Sequence, residues 1–433
     1  MKRIIVPLLV LSCLLCGAQG LPVQGIWSGD LNAQGTEIYL VFHFSENGCM
    51  LDSPDQGVKG IPAEAKVNAV GGVEVSIPSI GATYSGVLLP DKIVGTFTQR
   101  GMSFPLTLTP GERKLNRPQT PQPPFPYSEE EVTFRNREAS LSGTLTLPVN
   151  CTADTPVLVL VTGSGLQDRD ETLFEHKPFA VIADFFAREG IATLRYDDRG
   201  MGESTGDLIQ VTTEDLKNDA RAGISLLQGR FKHVGVLGHS EGGSIAFMLA
   251  AERQADFIIS LAGGILSGKA ILLDQNRTLL LRQGISEDET EAYCAALSEL
   301  FDRMILGQGL QNLDGVAISD ALKANLAAVA NQNSPYMQYF LQMDVSSLLD
   351  RVDCPVMAIN GDRDTQVNAA LNMPLLEQRF WADPRSCIKI YPELNHLFQH
   401  CVTGDVSEYK EIEETLSPEV LSDLVAWIRA LRF

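Results

Sequence analysis

The chain has 433 residues, more than a single hydrophobic core usually organises, so at least two folded units are expected. Its formal net charge of -20 at pH 7 excludes the broad basic surface that phosphate binding requires, so neither nucleic acid nor an anionic membrane is an expected partner. An apolar content of 44% is ordinary for a globular protein and favours no other class.

The N-terminus has the pattern of a secretion signal. Two basic residues precede an apolar run over residues 4–16 and then small residues, which predicts cleavage after Gly20 and a periplasmic or secreted protein. The run is too short to cross roughly 30 Å of hydrocarbon as a helix, and no later segment is long enough, so no stable membrane span is predicted. Lipid attachment at Cys13 is the less favoured alternative, because Leu11 and the apolar residues after Cys13 fit that signal poorly.

The first part of the mature chain is predicted to be an antiparallel β-domain. Over residues 21–112 short apolar runs are separated by Gly, Pro, Asp and Asn, which indicates a small barrel or a sandwich. Residues 113–127 contain five prolines, which cannot continue a helix or a central strand. This segment is therefore predicted to be an extended and fairly stiff linker.

From residue 128 to the C-terminus the pattern changes to apolar β runs that alternate with helical stretches. Near-continuous apolar strands between helices are typical of a parallel sheet covered on both faces, so an α/β fold is predicted. Residues 267–349 interrupt this alternation with helices alone. Because the segment is too long for a simple crossover, we interpret it as an inserted helical cap that shapes substrate access.

The cysteines show no metal or disulfide pattern. Their wide spacing lacks any paired Cys-x-x-Cys motif, so free thiols are favoured over bridges. Cys387 and Cys401 are the one pair that could form a bridge, since they flank a histidine loop described below. The predicted mature chain contains six cysteines: Cys49, Cys151, Cys294, Cys354, Cys387 and Cys401.

Residues 238–242, with the sequence GHSEG, follow an apolar strand and precede a helical run. This is the context of a G-x-S-x-G nucleophile elbow, in which a tight turn exposes the serine hydroxyl. We therefore predict that Ser240 is a nucleophile and that the amide of Glu241 is an oxyanion donor at the N-terminus of the helix. His239 lies inside the elbow, where its side chain must point away from the serine oxygen.

A serine nucleophile needs a base and a carboxylate that orients it, and after this elbow they follow in the order acid, histidine. Asp362 and Asp364 share a turn after an apolar strand, and Asp364 is preferred as the acid because residues 361–364 resemble the G-x-x-D loop of the family named below. His396 follows the last predicted strand and is preferred as the base over His400, which lies farther from the strand end.

A glycine loop, Gly163-Ser164-Gly165, follows the first apolar strand of the α/β region, where a second oxyanion donor is expected. We predict that the amide of Ser164 is this donor. A dinucleotide-binding fingerprint is disfavoured, because Asp168 stands where its third glycine should be. The charged run over residues 167–171 is either a solvated loop or a contact for the cap or the substrate.

Several motifs of the α/β region occur together in one family. The chain from residue 132 onward resembles the EstD-like bacterial carboxylesterases, relatives of the serine aminopeptidase group within the α/β-hydrolases. Pieces of the β-domain, WSGDL at residues 27–31 and LDSPDQG at residues 51–57, are also similar to a domain that precedes such hydrolases. The matching motifs are GSGLQDRDE (163–171), LRYDDRGMGESTG (194–206), GHSEGG (238–243), NGDRDTQV (360–367) and LNHLFQ (394–399).

The resemblance implies an α/β-hydrolase fold with a helical cap, preceded by an antiparallel β-domain, and a catalytic unit over residues 128–433. It implies hydrolysis of a small-molecule carboxylic ester through Ser240, His396 and Asp364, with no cofactor and no metal. Leu166 and His176 depart from the family pattern at what the resemblance implies is the rim of the acyl pocket, so the ester itself stays open.

Two other functions are compatible with the sequence. An aminopeptidase-like enzyme would use the same triad, with Glu241 or the loop at residues 168–171 as an anchor for the substrate ammonium group. A non-catalytic binding module would retain the fold, and its β-domain would be the functional part. The intact order of serine, aspartate and histidine argues against the binding module, and the sequence does not exclude the peptidase. The sequence leaves the oligomeric state open.

Overall fold

The computed structural model describes residues 23–33, 36–45, 48–54, 58–68, 70–99 and 101–433. The predicted signal peptide, residues 1–20, lies outside these ranges, as does Cys13. The chain divides into two compact units, of which the first ends at Lys114 and the second begins at Leu115.

The first unit is a closed antiparallel barrel of eight strands. The barrel closes because the first strand pairs with the last, Trp27 with Pro110 and Ser28 with Thr109. Side chains alternate between the interior and the solvent, so that Val73, Val75 and Ile77 of one strand are buried. The predicted antiparallel β-domain is thus confirmed, and it is a barrel. The strands are β1 Gly25–Ala33, β2 Thr36–Ser45, β3 Gly48–Ser53, β4 Val58–Val67, β5 Gly72–Ile77, β6 Ala82–Leu88, β7 Ile93–Gln99 and β8 Met102–Pro110.

The second unit contains an eight-stranded sheet in the order β16-β15-β14-β13-β11-β12-β10-β9. Its six strands from β11 to β16 pair in parallel, and β9 and β10 form an antiparallel hairpin at one edge. The strands are β9 Ser128–Asn136, β10 Ala139–Leu147, β11 Val157–Val161, β12 Ala192–Tyr196, β13 Val234–His239, β14 Phe257–Leu261, β15 Val356–Gly361 and β16 Cys387–Tyr391.

Helices cover both faces of this sheet, which explains the continuous apolar strands. In β11, Val157 and Val159 belong to the core on one face, whereas Leu158 and Leu160 belong to the core on the other. The predicted α/β fold is therefore confirmed. The helices α2, α3 and α8 pack on the first face and α1 and α9 on the second; their bounds are α1 Pro178–Arg188, α2 Thr213–Gln228, α3 Glu241–Ala251, α8 Ala369–Phe380 and α9 Pro418–Ala430.

The predicted cap is a group of four helices between β14 and β15, and they share an apolar core of their own. Each helix begins after a serine whose hydroxyl accepts a hydrogen bond from an amide three residues later, a strong signal for a helix start. The cap helices are α4 Gly268–Arg282, α5 Glu287–Ile305, α6 Asp320–Ala330 and α7 Pro335–Gln342.

Most of the proline-rich segment lies in the second unit, which begins at Leu115. Gln119 donates its side-chain amide to the Leu416 carbonyl and accepts the Thr415 amide. The Arg117 guanidinium donates to the backbone carbonyls of Phe174, Lys410 and Ile412, in addition to that of its neighbour Asn116. Residues 115–127 therefore run along the α/β unit as part of it.

The six cysteines of the described residues are free thiols, Cys387 and Cys401 included. Within the ranges that the structure describes, no helix combines the length and the apolar character needed to cross a membrane.

Candidate active site

Ser240 occupies a sharp turn between β13 and α3. Its φ of 52° and ψ of -117° are strained for a residue with a side chain. The flanking glycines make the turn possible, because a Cβ on Gly238 would lie 1.9 Å from the Gly242 carbonyl oxygen, and one on Gly242 would lie 2.0 Å from that of Val161. The turn holds the partly exposed Ser240 at the carboxyl edge of the parallel sheet.

Asp364 and His396 meet at the same edge of the sheet, on the loops that follow β15 and β16. The Nδ1 atom of His396 lies 2.7 Å from Oδ2 of Asp364, and both side chains are buried. The other carboxylate oxygen accepts the amides of Gln366 and Val367 at 2.8 and 2.9 Å, which fixes its orientation. Because Nδ1 faces the carboxylate, Nε2 is the ring nitrogen that does not contact Asp364.

The two rival residues have other contacts. Asp362 accepts the backbone amide of Glu393 at 2.7 Å. His400 has an exposed side chain and pairs through Nδ1 with Glu414 at 2.8 Å. The structure thus brings Asp364 and His396 together and gives Asp362 and His400 separate partners.

The predicted oxyanion donors belong to segments that adjoin Ser240. Glu241 is the first residue of α3, so its amide lies at the positive end of a helix dipole. Ser164 follows Gly163 in the loop after β11, and a Cβ on Gly163 would lie only 3.2 Å from the Cβ of Ser240. The glycine loop therefore lies directly against the turn at Ser240.

A cavity of about 440 Å³ opens at this edge of the sheet. Ser240, His396 and Ser164 line it together with apolar side chains from the cap and the adjoining loops. Helical periodicity located the apolar faces of the cap, but only the packing shows which residues reach the cavity. The apolar lining residues are Leu173, Ile271, Leu272, Met337, Phe340, Val367 and Leu397.

Comparison with known proteins agrees with the fold of the second unit. The profile of the serine aminopeptidase S33 family matches residues 175–324. Esterase EstD of Thermotoga maritima is 25% identical over 285 residues, which are 63% of this chain and 61% of EstD. The second unit has the α/β-hydrolase fold. The resemblance of this hydrolase unit to the EstD-like esterases is confirmed.

Other relatives are more distant. A monoacylglycerol lipase of Mycolicibacterium smegmatis is 22% identical over 263 residues, which are 57% of this chain and 81% of that protein. Among solved structures, an esterase of Pyrococcus furiosus has a TM-score of 0.46 at 16% identity and covers 74% of this chain and 99% of its own. Est1E from Butyrivibrio proteoclasticus has a TM-score of 0.40 at 18% identity, and the match covers 69% of this chain and 99% of Est1E.

The side chain of Glu241 is held inside the hydrolase unit. The Thr213 hydroxyl donates to its Oε1 at 2.6 Å, and the phenol of Tyr336 from cap helix α7 donates to its Oε2. Burial and the neighbouring carboxylate raise the pKa of Tyr336, so the phenol keeps its proton and remains a donor. Both oxygens of Glu241 thus have a donor already, and the cap is joined to the nucleophile turn.

The charged run at residues 167–171 is not a solvated loop. Arg169 pairs with Asp197 at 2.8 Å, and Asp170 pairs with Arg195. Glu171 is only 4% exposed, and its carboxylate accepts the Gly163 amide within the hydrolase core. Local sequence gave no sign of this burial, because each of these residue types is usually exposed.

The two departures from the family pattern lie away from the cavity. Leu166 packs at the edge of the apolar core of the sheet. His176 is buried, with Nδ1 2.8 Å from the Thr415 hydroxyl and Nε2 3.1 Å from the Tyr409 carbonyl oxygen. Burial lowers the pKa of His176 to about 4. The expectation that these residues form the rim of the acyl pocket is therefore wrong; they support the loops behind it.

The part of the chain that the structure describes contains no group of three or more His, Cys, Asp or Glu side chains placed to hold a metal ion.

Proposed function

We propose that this protein is a carboxylesterase that cleaves small-molecule esters through Ser240, His396 and Asp364. The observation that carries the proposal is the buried hydrogen bond between Asp364 and His396 beside the cavity that Ser240 lines. The names of the relatives, an esterase and a monoacylglycerol lipase, support a reaction at an ester bond.

In the proposed reaction the Ser240 hydroxyl attacks the ester carbonyl, and Nε2 of His396 takes its proton. Asp364 stabilises the imidazolium that forms and holds the ring in the correct tautomer. The amides of Glu241 and Ser164 stabilise the oxyanion, each by about 3 kcal/mol. The imidazolium then protonates the leaving alcohol, and water, activated by the same base, releases the carboxylic acid from Ser240.

The cavity favours an ester over an aminoacyl amide. An aminopeptidase needs a free carboxylate for the substrate ammonium group, but both oxygens of Glu241 accept hydrogen bonds from Thr213 and Tyr336. Asp170 is engaged by Arg195 and Lys177. The apolar side chains of the cap offer instead a surface for an acyl chain.

The function is tested by one screen on one purified sample, with 4-nitrophenyl esters of increasing acyl length against aminoacyl 4-nitroanilides. We expect kcat/KM for the best ester to exceed that for the best anilide by at least about 100-fold, because the carboxylates of Glu241 and Asp170 already have partners and the cap lines the cavity with apolar side chains. A preference for the anilides would support the peptidase alternative, and inactivity on both would support a binding module.

We also propose that the protein is exported, since the N-terminal residues have the pattern of a signal peptide. We propose that the mature enzyme begins at Leu21 and acts in the periplasm or outside the cell. Cell fractionation and N-terminal sequencing check this, and a lipid-modified Cys13 in the membrane fraction would contradict it.

The cap is proposed to select the acyl chain. Leu272 of α4 lines the cavity, whereas Leu279 on the same helix is 47% exposed. Leu272→Trp adds volume inside the cavity, so it should lower kcat/KM for long acyl esters about tenfold relative to short ones. The measurement is the ratio of kcat/KM values across a series of 4-nitrophenyl esters.

Leu279→Trp is the matched control, since it adds the same volume at an exposed position of α4. It should leave the ranking of acyl lengths unchanged. Removal of the first unit up to Lys114 should also leave the ranking unchanged. If the truncated enzyme ranked the acyl lengths differently, or if Leu272→Trp left the ranking unchanged, the cap would not be the element that selects the acyl chain.

A further inference from the structure

A buried carboxylate lies beside the proposed oxyanion hole, and it and His239 both line the cavity. Glu171 is 4% exposed and adopts a φ of 54°, which turns its side chain inward from the charged run. Its Oε1 accepts the Gly163 amide at 2.8 Å and faces Nδ1 of His239 at 2.9 Å. One carboxylate oxygen therefore contacts both the glycine loop and the residue that precedes Ser240.

His239 extends this contact to the histidine loop. Its Nε2 lies 3.0 Å from the backbone carbonyl oxygen of His396. Each ring nitrogen of His239 thus faces an acceptor, a carboxylate on one side and a carbonyl on the other. With Glu171 ionised, both contacts are hydrogen bonds only if both nitrogens carry a proton, which makes the ring an imidazolium.

The electrostatic surroundings favour this charged form. Burial lowers the pKa of His239, but the Glu171 carboxylate and the more distant Asp364 raise it further, so that it lies above its ordinary value. The centroids of the His239 and His396 rings are 4.8 Å apart. A positive charge on His239 therefore lies next to the imidazole that must act as the base.

We infer that Glu171 and His239 form a charged positioning pair, which ties the glycine loop and the histidine loop to the turn at Ser240. The inference rests on the proposed esterase function. Neither residue is assigned a contact with the reacting atoms; both act through Gly163 and His396.

The sign of the pH effect follows from the charges around His396. A histidine that takes a proton from serine must be neutral, so activity falls at acidic pH. A neighbouring imidazolium disfavours a second positive charge, whereas an unpaired Glu171 carboxylate would favour one. Asp364 faces both histidines, and Asp198, whose pKa burial raises to about 7, interacts with Glu171.

The test is the pH dependence of kcat/KM in His239→Gln, which removes the positive charge and can still donate a hydrogen bond toward the His396 carbonyl. We expect the acidic limb of the profile to move up by about 1 pH unit, because the Glu171 charge is then uncompensated. We expect kcat to fall about 100-fold with little change in KM, since the positioned loops relax.

The double variant Glu171→Gln with His239→Gln separates charge from packing. It removes both charges and keeps amide side chains at both positions, so the acidic limb should return toward that of the unmodified enzyme while kcat stays low. A limb that does not move in His239→Gln would overturn the inference. So would a limb that moves equally in the single and the double variants.

A measurement on the unmodified protein keeps the test decisive if the variants do not fold. Long-range nitrogen–proton spectra of histidine-labelled protein should show, at pH 7.5, a buried imidazole with both nitrogens protonated. A spectrum in which every buried histidine is neutral would overturn the inference. Inactivity of the unmodified protein on esters would instead refute the proposed function, and the spectra would still report the charge of His239.

Discussion

Replacing Ser240 with alanine should abolish ester hydrolysis, with a loss in kcat of roughly 10⁶-fold, because no other group can form the acyl-enzyme intermediate. The same variant should lose all labelling by a fluorophosphonate probe. Its thermal unfolding should change little, since the strained turn is held by Gly238 and Gly242 rather than by the hydroxyl. Probe labelling followed by mass spectrometry of the modified peptide checks the assignment.

Ser164→Ala is the matched control for this experiment. Ser164 is exposed and its proposed contribution is a backbone amide, which alanine retains. This variant should therefore keep its labelling and most of its activity. Labelling that persists in Ser240→Ala would place the nucleophile elsewhere and refute the proposed mechanism.

Asp364→Asn is expected to lower kcat by roughly 10⁴-fold, the second largest effect. An asparagine amide in place of the carboxylate would no longer hold Nδ1 of His396 as a donor, so the ring would present the wrong tautomer to Ser240. KM should change far less, because Asp364 is buried behind the histidine and does not line the cavity. Steady-state kinetics on the best ester separates the two parameters.

Asp362→Asn is the control in the same turn, and we expect no comparable loss of kcat. Asp362 accepts the Glu393 amide through Oδ1, and asparagine keeps that oxygen. We expect kcat to remain within about threefold of the unmodified enzyme, the scatter of an ordinary surface substitution. If Asp362→Asn were the more damaging change, the assignment of the acid to Asp364 would be wrong.

The turn at Ser240 could be predicted because the G-x-S-x-G motif and the strand and helix that flank it are visible in the local sequence. One glycine on each side of Ser240 is required, Gly238 by the carbonyl oxygen of Gly242 and Gly242 by the carbonyl oxygen of Val161 in β11. The apolar runs that predict the parallel strands and the serines that predict the starts of the cap helices are also local signals, since each involves only a few neighbouring residues. Such signals are readable from neighbouring residues alone.

The choice between neighbouring candidates needed more than local sequence. Asp362 and Asp364 share one turn, and His396 and His400 share one loop, so strand position alone only ranks them. Their contacts differ because the ends of β15 and β16 meet at one edge of the sheet, where Asp364 reaches His396. A side chain two residues away points to a different partner, the Glu393 amide.

The sequence by itself determined the order of the elements, the turn at Ser240 and the region in which the proposed acid and base lie, since strand and helix periodicity and the G-x-S-x-G motif involve only neighbouring residues. Only the tertiary structure decided which cap residues line the cavity and that Glu171 is buried against His239. Those two residues lie 68 positions apart, and His239 and His396 lie 157 apart. A carboxylate in a charged run is normally solvated, and it becomes a buried ion-pair partner only when the fold supplies donors that replace water.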